Sequence, residues 1–213
     1  MINDVKTLDE QNIIYPLFSK IIFTKDTKYK DTEIKLILQE IKNKKFKKVS
    51  HSAFMSEDIY VLESKKLKSL KKMLEQQIEI YANTFLRYKN KFQITTSWFT
   101  NAKKDGYSEY HNHSNSMFSG TFYIQANIEQ DKIAFENYNN PTWLLEPTEN
   151  TIYNCRQYNF NVYPGFLILF PSETYHRIQP NLNSEERISL AFNIIPKGFI
   201  GSNDSSLNLI KCK

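Results

Sequence analysis

Apolar positions in the first half of the chain recur at helical spacing. Ile34, Ile37, Leu38 and Ile41 stand at i, i+3, i+4 and i+7, which predicts a helix from Asp31 to about Lys42. A longer stripe of Leu67, Leu70, Leu74, Ile78, Tyr81, Phe85 and Leu86, with lysines and acids opposite, predicts a second helix over 67–88. Such a stripe needs a broad partner, most simply the face of a sheet. Residues 13–23 read as a strand broken at Pro16, and the lysine-rich 42–48 as a solvated loop.

After Phe92 the period changes to two. Strands are predicted at 93–99, 118–126, 133–137 and 165–170, the last a buried apolar run. Residues 187–195 alternate cleanly, with Ile188, Leu190, Phe192 and Ile194 on one side and Arg187, Ser189, Ala191 and Asn193 on the other. Helices first and short strands afterwards describe an α+β protein, mainly β, whose second half is a sandwich or barrel. No linker rich in Pro, Gly or Ser separates the halves, so one domain is expected.

Composition narrows the function classes. The 213 residues are 40% hydrophobic and 14% aromatic, enough for a substantial core. A net charge of +5 does not compel a nucleic-acid partner, and the lysines of 42–48 and 65–72 are expected to be solvated. No apolar run approaches a membrane span, and no signal peptide is expected. Two separated cysteines, Cys155 and Cys212, argue against a disulfide framework and for a cytoplasmic location. Phosphate-loop, dinucleotide-binding and nucleophile-elbow motifs are absent.

The chemistry lies in the four histidines. On an extended segment His111 and His113, at i and i+2, point to the same side and can face one metal ion. His176 follows a buried strand and the turn at 171–174. A close pair plus a distant third ligand suits a β-barrel metal site, whereas His51 is expected on the surface. Arg187 on an inward strand face is costly to bury unpaired, which implies an anionic partner. That partner is either an acid of the fold, such as Glu185 or Glu186, or a bound carboxylate matched to the guanidinium fork.

Three segments carry a family resemblance. They are 106–123 (GYSEYHNH, then SGTFY), 164–176 (PGFLILFPSETYH) and 186–193 (ERISLAFN). Together they resemble the 2-oxoglutarate/Fe(II)-dependent oxygenase superfamily. More narrowly, they are similar to a group of small oxygenases met in marine phages and bacteria, with an HxH, a distal His and an RxS element. The opening YPLF at 15–18 and Ser97-Trp98 also fit, so the resemblance runs from about residue 13 to the end, loosest between 31 and 64.

The resemblance implies a double-stranded β-helix, or jelly roll, backed by N-terminal helices. Residues 1–92 would support, 93–197 form the jelly-roll core and 198–213 form a tail. It implies Fe(II), 2-oxoglutarate and O₂, with hydroxylation of an unidentified side chain or small molecule and release of succinate and CO₂. His111 and His176 match the family's imidazole ligands. Arg187 and Ser189 match the grip on the far carboxylate of 2-oxoglutarate, with Tyr123 and Asn101 as further contacts. Asn193 is a candidate for the pocket wall, Trp98 is read as core, and Gly106 matches a turn glycine. His113 stands where the wider superfamily has a carboxylate; it is the expected third ligand, with Glu109 as the alternative. Two rivals remain: a cupin metalloenzyme of other chemistry and a non-catalytic jelly-roll module. The stretch from Gly165 through His176 to Pro180 departs from the cupin pattern at Glu173 and Pro180.

Overall fold

The computed structural model describes residues 6–7, 13–14, 17–137 and 145–209. Its elements in chain order are β1 (Lys6–Thr7), β2 (Ile13–Ile14), β3 (Phe23–Asp26), α1 (Asp31–Ile41), β4 (Phe46–Ser50), β5 (Ala53–Ser56), α2 (Lys68–Glu79), β6 (Lys91–Ala102), β7 (Phe118–Gln125), β8 (Lys132–Glu136), β9 (Gln157–Asn161), β10 (Phe166–Pro171), β11 (His176–Ile178), β12 (Arg187–Ile200) and β13 (Leu207–Leu209). The large sheet runs β3-β10-β7-β12-β6-β5-β4, with β13 paired to the far end of β12. A smaller sheet, β11-β8-β9, completes the jelly roll.

Alternation decides what each face of the large sheet covers. Ile188, Leu190, Phe192 and Ile194 of β12 join Phe99, Phe122 and Leu167 in a core that takes Ile37, Leu70, Leu74 and Ile78 from the helices. Residues of opposite parity face the small sheet. There Tyr123, Ile168 and Phe170 pack with Ile133, Phe135 and Val162 in a second core. Gly120 lies on the helix face of β7 between Phe192 and Leu169, where a Cβ would collide with both side chains. That close approach explains the glycine in the 119–123 motif.

Several boundaries depart from the sequence reading. The lysine-rich 42–48 is not all loop: β4 begins at Phe46 and forms the free edge of the large sheet. Lys47 and Lys48 are exposed on it, and lysine on an edge strand discourages pairing with other chains. The second helix ends in a wider turn over Ile80–Phe85, where the Leu86 amide donates to the Tyr81 carbonyl five residues back. This shift carries Phe85 out of the apolar stripe, leaving it 62% exposed, while Ala82 is buried instead. The stretch read as one strand over 13–23 yields two strands, β2 and β3; Pro16 lies outside the described residues. The N-terminal part is therefore not only helical support, since β3, β4 and β5 belong to the large sheet. Part of the tail is ordered as β13. No helix among the described residues is long and apolar enough to cross a membrane.

Candidate metal centre

Backbone pairing brings the histidines together. His111 and His176 form an isolated antiparallel bridge, each amide donating to the other's carbonyl at 3.0 and 2.9 Å. The His113 amide donates to the Ser172 carbonyl at 2.9 Å, tying the pair to the turn that leads into β11. The ligand nitrogens of all three side chains lie within 4.8 Å of one another. No carboxylate joins this cluster among the described residues; Glu109 is exposed and contributes its backbone carbonyl to His111 instead.

The rings are prepared as neutral ligands. His111 Nδ1 sits 2.8 Å from the Glu109 carbonyl and His176 Nδ1 2.9 Å from that of Thr174. A carbonyl can only accept, so each Nδ1 carries a proton, and in the neutral form of either ring Nε2 is the nitrogen left with a lone pair for a metal. Phe170 and Phe135 pack against His176, with ring centres at 4.6 and 5.9 Å. Burial, and then the nearby His111, push His176 down to about 3 and His113 down to about 4. Three neutral nitrogens converging from one bridge and one turn fit a first-row divalent cation such as iron(II).

The cluster stands in the wall of a cavity of ≈ 400 Å³. Trp98 and Thr121 line it, as do Arg187, Ser189 and the hairpin residues Phe54 and Met55. Strand register orders the cavity face of the large sheet. Thr100, Ser189 and Tyr123 form one row across β6, β12 and β7, and Trp98, Ala191 and Thr121 form another. Trp98, read as core, is half-buried with its ring centre 5.8 Å from that of His113.

Arg187 already has an anionic partner in the fold. Its Nη1 donates to Asp131 Oδ1 at 2.9 Å, with both side chains 2% exposed. Its Nη2 donates to the Gln179 carbonyl at 2.9 Å and the Gly106 carbonyl at 3.3 Å. Gly106 makes this possible by a tight turn, since a Cβ there would strike the Ser52 backbone. Ser189 Oγ lies 2.6 Å from Thr100 Oγ1. Among the described residues the Tyr123 hydroxyl is buried without a hydrogen-bond partner; Tyr123 does not line the cavity but stands beside Ser189, which does. Burial and Asp131 raise its pKa, while Arg187 acts the other way.

Two candidates lie elsewhere. Asn101 shares the helix-side face with Ile188, and its Nδ2 donates to Glu186 at 2.8 Å, although it borders the cavity. Asn193 lies on the Arg187 face but binds Ser119 and Thr96 and does not line the cavity. Asp131 was missed: it precedes a strand, and nothing local in the sequence signals a partner 56 residues on. The hairpin wall was missed because a lysine run concealed its strand. His51 is exposed as expected, stacked on Tyr107.

Comparisons with known proteins fit this arrangement. Residues 96–193 match a family model described as "Putative 2OG-Fe(II) oxygenase". No curated protein matches the sequence. Among solved structures, an oxidoreductase of the 2OG-Fe(II) oxygenase family from Burkholderia pseudomallei superposes with a TM-score of 0.59 at 12% identity, covering 82% of this chain and 83% of its own. HygX from Streptomyces hygroscopicus, solved with nickel, 2-oxoglutarate and hygromycin B, gives 0.61 at 12% identity over 82% of each chain. A prolyl-4-hydroxylase from Pseudomonas putida gives 0.55 at 13% identity over 81% and 91%. At such identities the likeness establishes a shared jelly-roll fold.

Proposed function

We propose, for a chain that belongs through residues 96–193 to the 2-oxoglutarate/Fe(II)-dependent oxygenases, that His111, His113 and His176 hold the iron and that the adjoining cavity takes 2-oxoglutarate and the substrate. The observation that carries this reading is the convergence of three neutral imidazoles on the wall of a cavity that also contains Arg187. Iron(II) supplies the activation of O₂ that couples decarboxylation of 2-oxoglutarate to hydroxylation of a substrate C–H bond.

The chain's residues divide the remaining work. His111 and His176 present Nε2 because backbone carbonyls hold their Nδ1 protons. His113 adds a third neutral donor, which leaves the site one charge more positive than one with a carboxylate. Arg187, the Ser189–Thr100 hydroxyl pair and the unpartnered Tyr123 hydroxyl receive the far carboxylate of 2-oxoglutarate. Asn101 contributes to the wall and Asn193 does not, and neither joins that grip, since the Asn101 amide donates to Glu186 and the Asn193 amide is bonded to Ser119 and Thr96. Trp98, Phe54 and Met55 give the substrate side an apolar lining that excludes water.

A side chain or small molecule suits the cavity volume, and the chain would act in the cytoplasm, that of a host cell if phage-encoded. Protein loaded anaerobically with iron(II) should form succinate from 2-oxoglutarate on exposure to O₂, and His176→Ala and Arg187→Ala should not. Iron binding that N-oxalylglycine fails to perturb would overturn the oxygenase reading.

A further inference from the structure

The guanidinium that receives the co-substrate is already neutralised. Asp131 is no casual partner: Oδ1 accepts from Arg187 at 2.9 Å and Oδ2 accepts from the Asn127 amide at 2.7 Å. The Asp131 backbone is fixed as well, its amide donating to the Asn127 carbonyl at 2.8 Å and its carbonyl accepting from the Val162 amide at 3.0 Å. With both side chains 2% exposed, swinging Asp131 aside would leave a buried carboxylate without its cation. The pair therefore persists when a ligand arrives. Arg187 spends three of its five N–H donors on Asp131, Gly106 and Gln179, which leaves two for a ligand.

A second carboxylate at this end of the cavity would meet a balanced ion pair and not a lone cation. It would gain hydrogen bonds from the remaining Arg187 donors, Tyr123 and the Ser189–Thr100 pair, but it would also be repelled by Asp131. We infer that Asp131 sets co-substrate selectivity, holding Arg187 in place while cancelling its charge, so that the far carboxylate of a 2-oxo acid adds little to binding. This rests on the proposed function, because it concerns the same cavity. The wild-type site should accept 2-oxo acids with an uncharged tail nearly as well as the dicarboxylate.

Calorimetry on manganese(II)-loaded protein tests this without turnover, comparing 2-oxoglutarate with 2-oxopentanoate, which has a methyl in place of the far carboxylate. Wild type should favour 2-oxoglutarate by less than about tenfold, and Asp131→Asn or Asp131→Ser should raise that ratio by about tenfold or more, as removal of a nearby like charge requires. A wild-type preference above about tenfold overturns the inference, as does an Asp131 variant that weakens both acids equally, which would make the residue structural only. Should neither variant fold, the wild-type ratio decides alone. Wild type that binds metal but neither acid instead defeats the oxygenase reading beneath it.

Discussion

Mild acid should destabilise the metal-free protein through two of its imidazoles. In the folded chain His113 lies at about 4 and His176 at about 3, against an ordinary 6.5. At pH 5 both are therefore neutral when folded and mostly protonated when unfolded. The unfolded state binds the extra protons, so stability is full above 6.5 and falls as the pH drops below it. At pH 5 each group contributes a loss of about 2 kcal/mol, from about 1.5 pH units at about 1.36 kcal/mol each, or about 4 kcal/mol together. The size of this loss is the same for any folded-state value well below 5. Urea unfolding of chelator-treated protein at pH 7.5 and pH 5.0 measures the difference. His113→Asn/His176→Asn should lose less than about 1 kcal/mol over the same interval. A wild-type loss below that figure, or an equal loss in the double variant, refutes the reasoning. Added metal should steepen the dependence, because the ion competes with protons for the same nitrogens.

Replacing His111 or His176 with Ala should reduce iron affinity by more than the roughly 10–100-fold that follows loss of a supporting hydrogen bond, read by anaerobic titration. His113→Asp should keep the metal and bind iron(II) more tightly than wild type, by the same titration, since it adds an anionic oxygen ligand. Arg187→Met should cost about 3–5 kcal/mol in urea unfolding by stranding Asp131, and the Arg187→Met/Asp131→Asn pair should cost less than the sum of the single changes. Leu74→Ala should cost about 2–5 kcal/mol because the side chain is fully buried, whereas Phe85→Ser should stay within about 0.5 kcal/mol.

The sequence shows most plainly what depends on local period. Strand β12 was readable because one set of alternate residues packs in the helix-side core while Arg187, Ser189 and Ala191 of the other set line the cavity, and α1 because its stripe needs only a few turns. Phe85 was misjudged because a wide turn alters the helical period without any residue that announces it. The β4 strand was hidden because lysines on a sheet edge look like lysines in a loop. Within the site, HxH and the distal His are spacing signals, and antiparallel pairing of His111 with His176 brings them together. The inward aim of Arg187 was equally legible from its parity on β12. Its partner was not, since choosing Asp131 over Glu185 or Glu186 depends on how the turn before β8 folds back in space.

The bridge between His111 and His176 also affects how metals exchange at this centre. Backbone hydrogen bonds hold His111 beside His176, so on the proposed reading capture of an ion would require no folding. A site so held would take up whatever divalent ion is freely supplied. Three neutral nitrogens obey the common affinity order, in which nickel, copper and zinc outrank ferrous iron. Which ion fills the site in a living cell is then a matter of abundance and timing, and protein made in zinc-rich medium should emerge charged with zinc until stripped and refilled.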